Sequence, residues 1–130
     1  MAALSDYAEK LLLDWMMTSG SATRPTAWYV ALYTAAPSDS GGGTEVSTGG
    51  YARQSVAFDA ATSPGGTTSN SADVSFTAVG GDYGTVTLMG IFDASTGGNL
   101  LWHGVLSASK TVEDGDTITF SAGNIDLTMA

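Results

Sequence analysis

The side chains of this chain that are able to do chemistry are a single histidine, His103, and thirteen acidic residues. Acyl transfer by a serine nucleophile needs serine, histidine and carboxylate in one hydrogen-bonded array. No Gly-x-Ser-x-Gly motif accompanies His103. The chain has no cysteine, so thiol catalysis, disulfides and zinc–thiolate sites are excluded. We therefore predict that the protein is not an enzyme and has no catalytic residues.

Metal and phosphate sites have one candidate sequence each. Glu113, Asp114 and Asp116 offer oxygen ligands for a cation such as calcium, but their spacing departs from a twelve-residue calcium loop. Asp-Gly is also common turn sequence, so a turn is the expectation and a bound cation the alternative. Gly41–Gly43 is glycine-rich like a phosphate-binding loop, yet no Gly-Lys-Ser/Thr follows it. We predict no metal and no cofactor.

Charge and composition narrow the range of partners. Four basic residues stand against thirteen acidic ones, for a net charge of -9. Such a chain does not bind nucleic acid or an anionic membrane, because both require clustered Lys and Arg. Charged residues make up 13% of the chain, about half the usual share. A surface of Ser, Thr, Gly and Ala loses little side-chain entropy on contact, which favours assembly with other proteins.

One amphipathic helix precedes the strands. Over residues 4–17, the apolar residues Leu4, Ala8, Leu11 and Trp15 recur at helical spacing. Ser5 or Asp6 is placed to cap the start of the helix, and Gly20 to stop it. We expect the apolar stripe to form one core with the aromatic run at 28–33. This run is uninterrupted, as in a strand that is covered on both faces.

The rest of the chain alternates short apolar segments with turns, which is typical of an antiparallel β-sandwich or barrel. We predict one domain, residues 1–130, that is mainly β: a single antiparallel sandwich or jelly-roll-like barrel of about seven strands after the helix. Two long loops, 34–50 and 59–71, separate the early strands. The predicted strands are 28–33, 53–58, 73–78, 85–93, 100–106, 117–120 and 125–129.

Two blocks of sequence resemble a known family. The first reads YVALYTAAPSDSGGGTEV at 29–46 and GGYARQSVAF at 49–58. The second reads GTVTLMGIFDASTGGNLLWHG at 84–104 and continues to Leu127. Together they resemble a family of small tailed-bacteriophage virion proteins, often labelled tail fibre proteins, and the resemblance covers nearly the whole chain.

The resemblance implies a structural virion protein that is made in the host cytoplasm. The chain is short and has no repeats, unlike a long receptor-binding fibre, so we expect a capsid decoration (cement) protein. It would bind the major capsid protein as a homotrimer and stabilise the outer capsid lattice. The alternative is a tail fibre or baseplate-associated subunit that binds tail proteins and contacts the host surface. The candidate interface residues are Leu11, Trp15, Gly41, Gly42, Gly43, Thr44, Tyr51, Gly65 and Gly66.

Overall fold

A computed structural model describes residues 2–129 of the chain. The fold is mainly β, with antiparallel strands and one short helix near the N-terminus. The elements are β1 (Ala2–Leu4), α1 (Asp6–Met17), β2 (Tyr29–Ala35), β3 (Thr44–Glu45), β4 (Gln54–Ser55), β5 (Thr67–Ser69), β6 (Val74–Thr77), β7 (Gly84–Phe92), β8 (Leu100–Val112), β9 (Thr117–Phe120) and β10 (Asp126–Thr128).

The strands form one large sheet and two small ones. The large sheet has the order β1-β8-β7-β2-β3, and β4 also pairs with β2. The two small sheets are the pairs β5–β10 and β6–β9. All pairings are antiparallel. The long strands β7 and β8 pair over most of their length, so they and β2 form the frame of the domain.

Strand β2 is buried on both faces, as its uninterrupted apolar sequence predicts. Val30 and Leu32 point to the main core cluster, which also includes Phe76 of β6 and Ile118 of β9. Side chains alternate along a strand, so the residues between them point the other way. There Ala31 and Tyr33 join a second, smaller cluster. The main core is thus enclosed between the large sheet and the two small sheets, as in a sandwich.

The structure corrects several predicted strand bounds. The segment 53–58 pairs as a strand only at Gln54–Ser55, with a separate bridge between Phe58 and Asn70. The loops 34–50 and 59–71 contain β3 and β5, whose polar residues hide the strand signal. Residues 107–110 lie within β8. β1, a three-residue edge strand paired with β8, is too short to show a period.

Helix α1 begins as predicted but does not enter the core. Ser5 is the N-cap, and its side chain accepts a hydrogen bond from the Ala8 N–H at 3.2 Å. The helix ends at Met17, with Thr18 as C-cap, so the prediction that Gly20 stops it was wrong. Only Ala8 is buried, and neither core cluster contains a residue of α1. The expected common core of helix and strand 28–33 was therefore wrong as well. Within residues 2–129, α1 is the one helix, and it is neither long nor apolar enough to cross a bilayer.

Phe76 provides a test of the main core. It is 1% exposed, stacks on Tyr51 at 6.0 Å and meets the ring of Phe120 edge-on at 6.4 Å. We expect Phe76→Ala to lower the free energy of unfolding by about 3–5 kcal/mol, because it leaves a cavity and removes both ring contacts. Urea denaturation measures the loss. In the control, Val79→Ala at a side chain that is 68% exposed, the change should stay within about 0.5 kcal/mol. Equal losses in the two variants would contradict this description of the core.

Candidate functional site

His103, the sole histidine, pairs with an aspartate from the loop after β2. Its Nε2 lies 2.7 Å from Oδ1 of Asp39, and the backbone carbonyl of Asp39 accepts a hydrogen bond from Asp6 N–H at 2.9 Å. Among residues 2–129, Asp39 is the one hydrogen-bond partner of the imidazole. The pair joins the loop, the start of α1 and β8, which is a structural arrangement.

The carboxylates of the acidic turn are engaged in backbone hydrogen bonds. Asp116 Oδ2 accepts from Glu113 N–H at 3.1 Å, and Asp114 Oδ1 accepts from Gly80 N–H at 2.9 Å. These bonds close the turn between β8 and β9 and fasten it to the turn before β7. Across the described residues, no three His, Asp or Glu side chains are grouped to hold a metal ion.

The densest polar cluster surrounds Arg53, which we call the Arg53 network. The guanidinium makes two hydrogen bonds to Glu45, Nε to Oε2 at 2.8 Å and Nη2 to Oε1 at 2.9 Å. Its Nη1 donates to the carbonyls of Ala94 and Gly97 at 2.9 and 2.8 Å. Its carbon Cζ lies 3.6 Å from the ring centre of Phe92. Arg53 thus ties β3 and the turn between β7 and β8 to one another.

Tyr51 extends the network into the core. Its hydroxyl donates to Glu45 Oε2 at 2.7 Å and accepts from Leu32 N–H at 3.0 Å. Its ring stacks on Phe76 and meets Tyr83 edge-on at 5.7 Å. These contacts engage Tyr51 within the fold, and its interface role stays a prediction.

Burial and charge together set the ionisation of this cluster. Burial alone would raise the pKa of Glu45, but hydrogen bonds from Arg53 and Tyr51 outweigh it and lower that pKa below its usual value. Burial, with the Glu45 charge nearby, raises the pKa of Tyr33 to about 12. Burial and its bond to Glu45 raise the pKa of Tyr51 further. The cluster therefore holds one carboxylate, one guanidinium and two neutral phenols at neutral pH, with the carboxylate and the guanidinium paired to each other.

The glycine candidates lie in two separate regions. Gly41 exchanges two backbone hydrogen bonds with Ser38, and a side chain on Gly43 would meet the backbone of residues 35–37 at 2.6–2.8 Å. Thr44 begins β3. Gly66 lies instead beside β10, where its carbonyl accepts a hydrogen bond from Met129 N–H and its own N–H donates to the Thr62 carbonyl; Gly65 precedes it. Only the first of these regions adjoins α1, through the hydrogen bond from Asp6 N–H to the Asp39 carbonyl.

The exposed surface of α1 is the most unusual feature of the molecule. One flank carries Leu13, Met16 and Met17, with exposed fractions of 57%, 56% and 74%; we call these three residues the ridge. The other flank borders an apolar groove of about 270 Å³. The groove is lined by Leu11, Leu12, Trp15, Ala22, Arg24 and Pro25.

Sequence reasoning placed Leu11 and Trp15 on the core-facing stripe and noted them as candidate contacts; the structure brings them together in the groove. It missed the ridge. The signal was present in Leu11–Met17, which reads LLLDWMM and is apolar on every side except at Asp14. A helix that is apolar on every side is normally buried on every side. A search for a single apolar stripe does not detect such a helix.

A larger cavity of about 650 Å³ opens between β8 and β9. Lys110 is part of its lining, and the Nζ of this residue donates to the Thr117 carbonyl at 2.7 Å. The lining mixes core side chains with scattered polar groups and has two charged residues, Lys110 and Asp126. These polar groups do not converge on one point where they could bind a ligand together.

The Arg53 network predicts a pH-dependent contribution to stability. Because the folded pKa of Glu45 is depressed, its stabilisation is present above the unfolded value of about 4.3 and is lost as the pH falls through the folded pKa. Glu45→Gln should lower the free energy of unfolding at pH 7 by about 1.5–3 kcal/mol, the value of a hydrogen bond to a charged group. The difference from the natural chain should shrink toward pH 3. Denaturation at both pH values measures it, with the exposed Glu113→Gln as control. A pH-independent difference would contradict the argument.

Comparison with known proteins agrees with the resemblance noted in the sequence. No curated protein matches the chain. A family model of phage fibre proteins matches residues 3–128, which include α1, both core clusters and strands β2 to β10. The match extends over nearly the entire chain, so the two sequence blocks, the helix and the sandwich belong to one family pattern. The chain therefore belongs to the family described as Podophage GP4 fiber I protein gp80.

Proposed function

We propose that this protein is a structural subunit of a phage tail fibre and acts by contact with other proteins, without catalysis. The observation that carries the proposal is the C-terminal half of α1. Its side chains are apolar on all sides except at Asp14, and Leu13, Trp15, Met16 and Met17 are 56–74% exposed. An isolated subunit leaves this surface in water, which is unfavourable.

The rest of the molecule suits a rigid part in an assembly. Both faces of β2 are buried, and the Arg53 network joins two connecting segments with hydrogen bonds of 2.7–2.9 Å. His103 and Asp39 attach a third segment to the start of α1. Groups that an enzyme would keep available for substrate are used here to hold loops in place.

The family description favours the fibre over capsid decoration, since it names a fibre protein. The homotrimer and the contact with the major capsid protein came from the decoration hypothesis. In the fibre role the proposed partners are other copies of this subunit and tail proteins. The net charge of -9 supports a place on the outside of the particle, because an acidic surface is repelled by packaged DNA.

Labelling of virions separates these roles. Gold-labelled antibody against this chain should mark the tail and its fibres in negatively stained particles, at a few tens of copies or fewer. Label over the whole head, at hundreds of copies, would overturn the fibre role in favour of decoration. A particle without the protein would overturn both. Particles from a mutant that lacks the gene provide the control for background label.

A further inference from the structure

We infer that copies of this chain associate head to tail through α1, with the ridge of one copy seated in the groove of the next. The inference rests on the proposed function, because a structural subunit needs contacts with its neighbours. The geometry of the contact is inferred from the exposed surface of α1. It commits to a second copy of the chain as the occupant of the groove.

Ridge and groove lie on different flanks of the same helix. Leu13, Met16 and Met17 follow i, i+3, i+4 spacing and so form one compact row. Leu11 and Trp15, four residues apart, form a second row that borders the groove. At 3.6 residues per turn the two rows point roughly 170° apart. A contact between two different patches is heterologous, and such contacts close into rings when the rotation permits.

The exposed area suits a weak contact that closure of a ring reinforces. Tyr7, Leu13, Trp15, Met16 and Met17 are 41–74% exposed. Since large side chains present roughly 150–250 Å² each, these five offer on the order of 500–600 Å² per copy. A head-to-tail arrangement divides this area between two contacts, one at the ridge and one at the groove. A stable protein interface buries about 800 Å² per partner, so a single contact is weak, and a closed ring gives each copy a second one.

Charge favours the same surface for contact between copies. Residues 7–25 contain two acidic residues, Glu9 and Asp14, and two basic ones, Lys10 and Arg24, so their net charge is zero. The charge of -9 therefore lies entirely on the rest of the chain, where the copies repel one another. Lys10 and Asp14 already form an ion pair within the helix. The segment that carries the exposed apolar surface thus has no net charge.

The groove has the size for side chains of a partner. Its volume of about 270 Å³ lies just below the range of about 300–1,000 Å³ that small-molecule sites occupy. Its single charged residue, Arg24, lies over the ring of Trp28 at 5.8 Å. An unbranched methionine adapts to irregular apolar spaces, so Met16 and Met17 suit this groove.

Sedimentation equilibrium of the purified full chain, from 1 to 200 µM, tests the association. The natural chain should form oligomers. A ridge variant, Leu13→Lys with Met17→Lys, and a groove variant, Ala22→Arg, should each raise the dissociation constant at least tenfold. Val79→Lys, at a side chain 68% exposed elsewhere, is the matched control and should not change it. Thermal melts of all variants exclude unfolding as the cause, because the changed side chains lie outside both core clusters.

A mixture of the two variants tests the head-to-tail geometry. The groove variant keeps its ridge and the ridge variant keeps its groove, so the two together should form a one-to-one dimer that does not grow. Self-association of either variant alone to the natural extent would overturn the inference. A natural chain that stays monomeric at 200 µM would also overturn it. So would a monomer whose ridge binds another virion protein. None of these results would affect virion labelling, which tests the fibre role by itself.

Discussion

The central strand β2 has no face toward water, and most of the architecture follows from that constraint. Val30 and Leu32 require cover on one side, Ala31 and Tyr33 on the other. The two small sheets supply the first cover. Phe92, Leu88 and Leu100 from β7 and β8 supply the second. The second cluster is formed by side chains of β2 and of its neighbours in the same sheet. Helix α1 contributes no residue to either cluster and remains outside with one buried residue, Ala8.

The Arg53 network covers part of the second cluster. The guanidinium of Arg53 lies over the ring of Phe92, with Cζ 3.6 Å from the ring centre. A charge in that position needs partners; Glu45 and the carbonyls of Ala94 and Gly97 provide them. Loop segments with little apolar content are thereby held by charge-assisted hydrogen bonds, the strong class of such bonds.

Sequence reasoning found the elements with strong local signals and missed those that depend on distant partners. The fold class, the helix start at Ser5 and the doubly buried β2 followed from periodicity and capping. β1 and β3–β5 have two or three residues each and exist because a neighbouring strand pairs with them. The two partners of Arg53, Glu45 and the turn at 94–97, are 8 and more than 40 residues away. No local pattern predicts such contacts. Nor does the local sequence of α1 predict that the helix lies outside both core clusters.

The charge distribution and the exposed apolar surface of α1 have opposite effects on association between copies. An exposed apolar surface of several hundred Å² invites uncontrolled association, and a net charge far from zero opposes it. Here residues 7–25, which carry the exposed apolar side chains of α1, have no net charge, and the charge of -9 lies on the rest of the chain. Repulsion between two copies is therefore weaker where these segments meet than where acidic segments meet. The same charge that opposes uncontrolled association would thus favour contact through the exposed apolar side chains of α1.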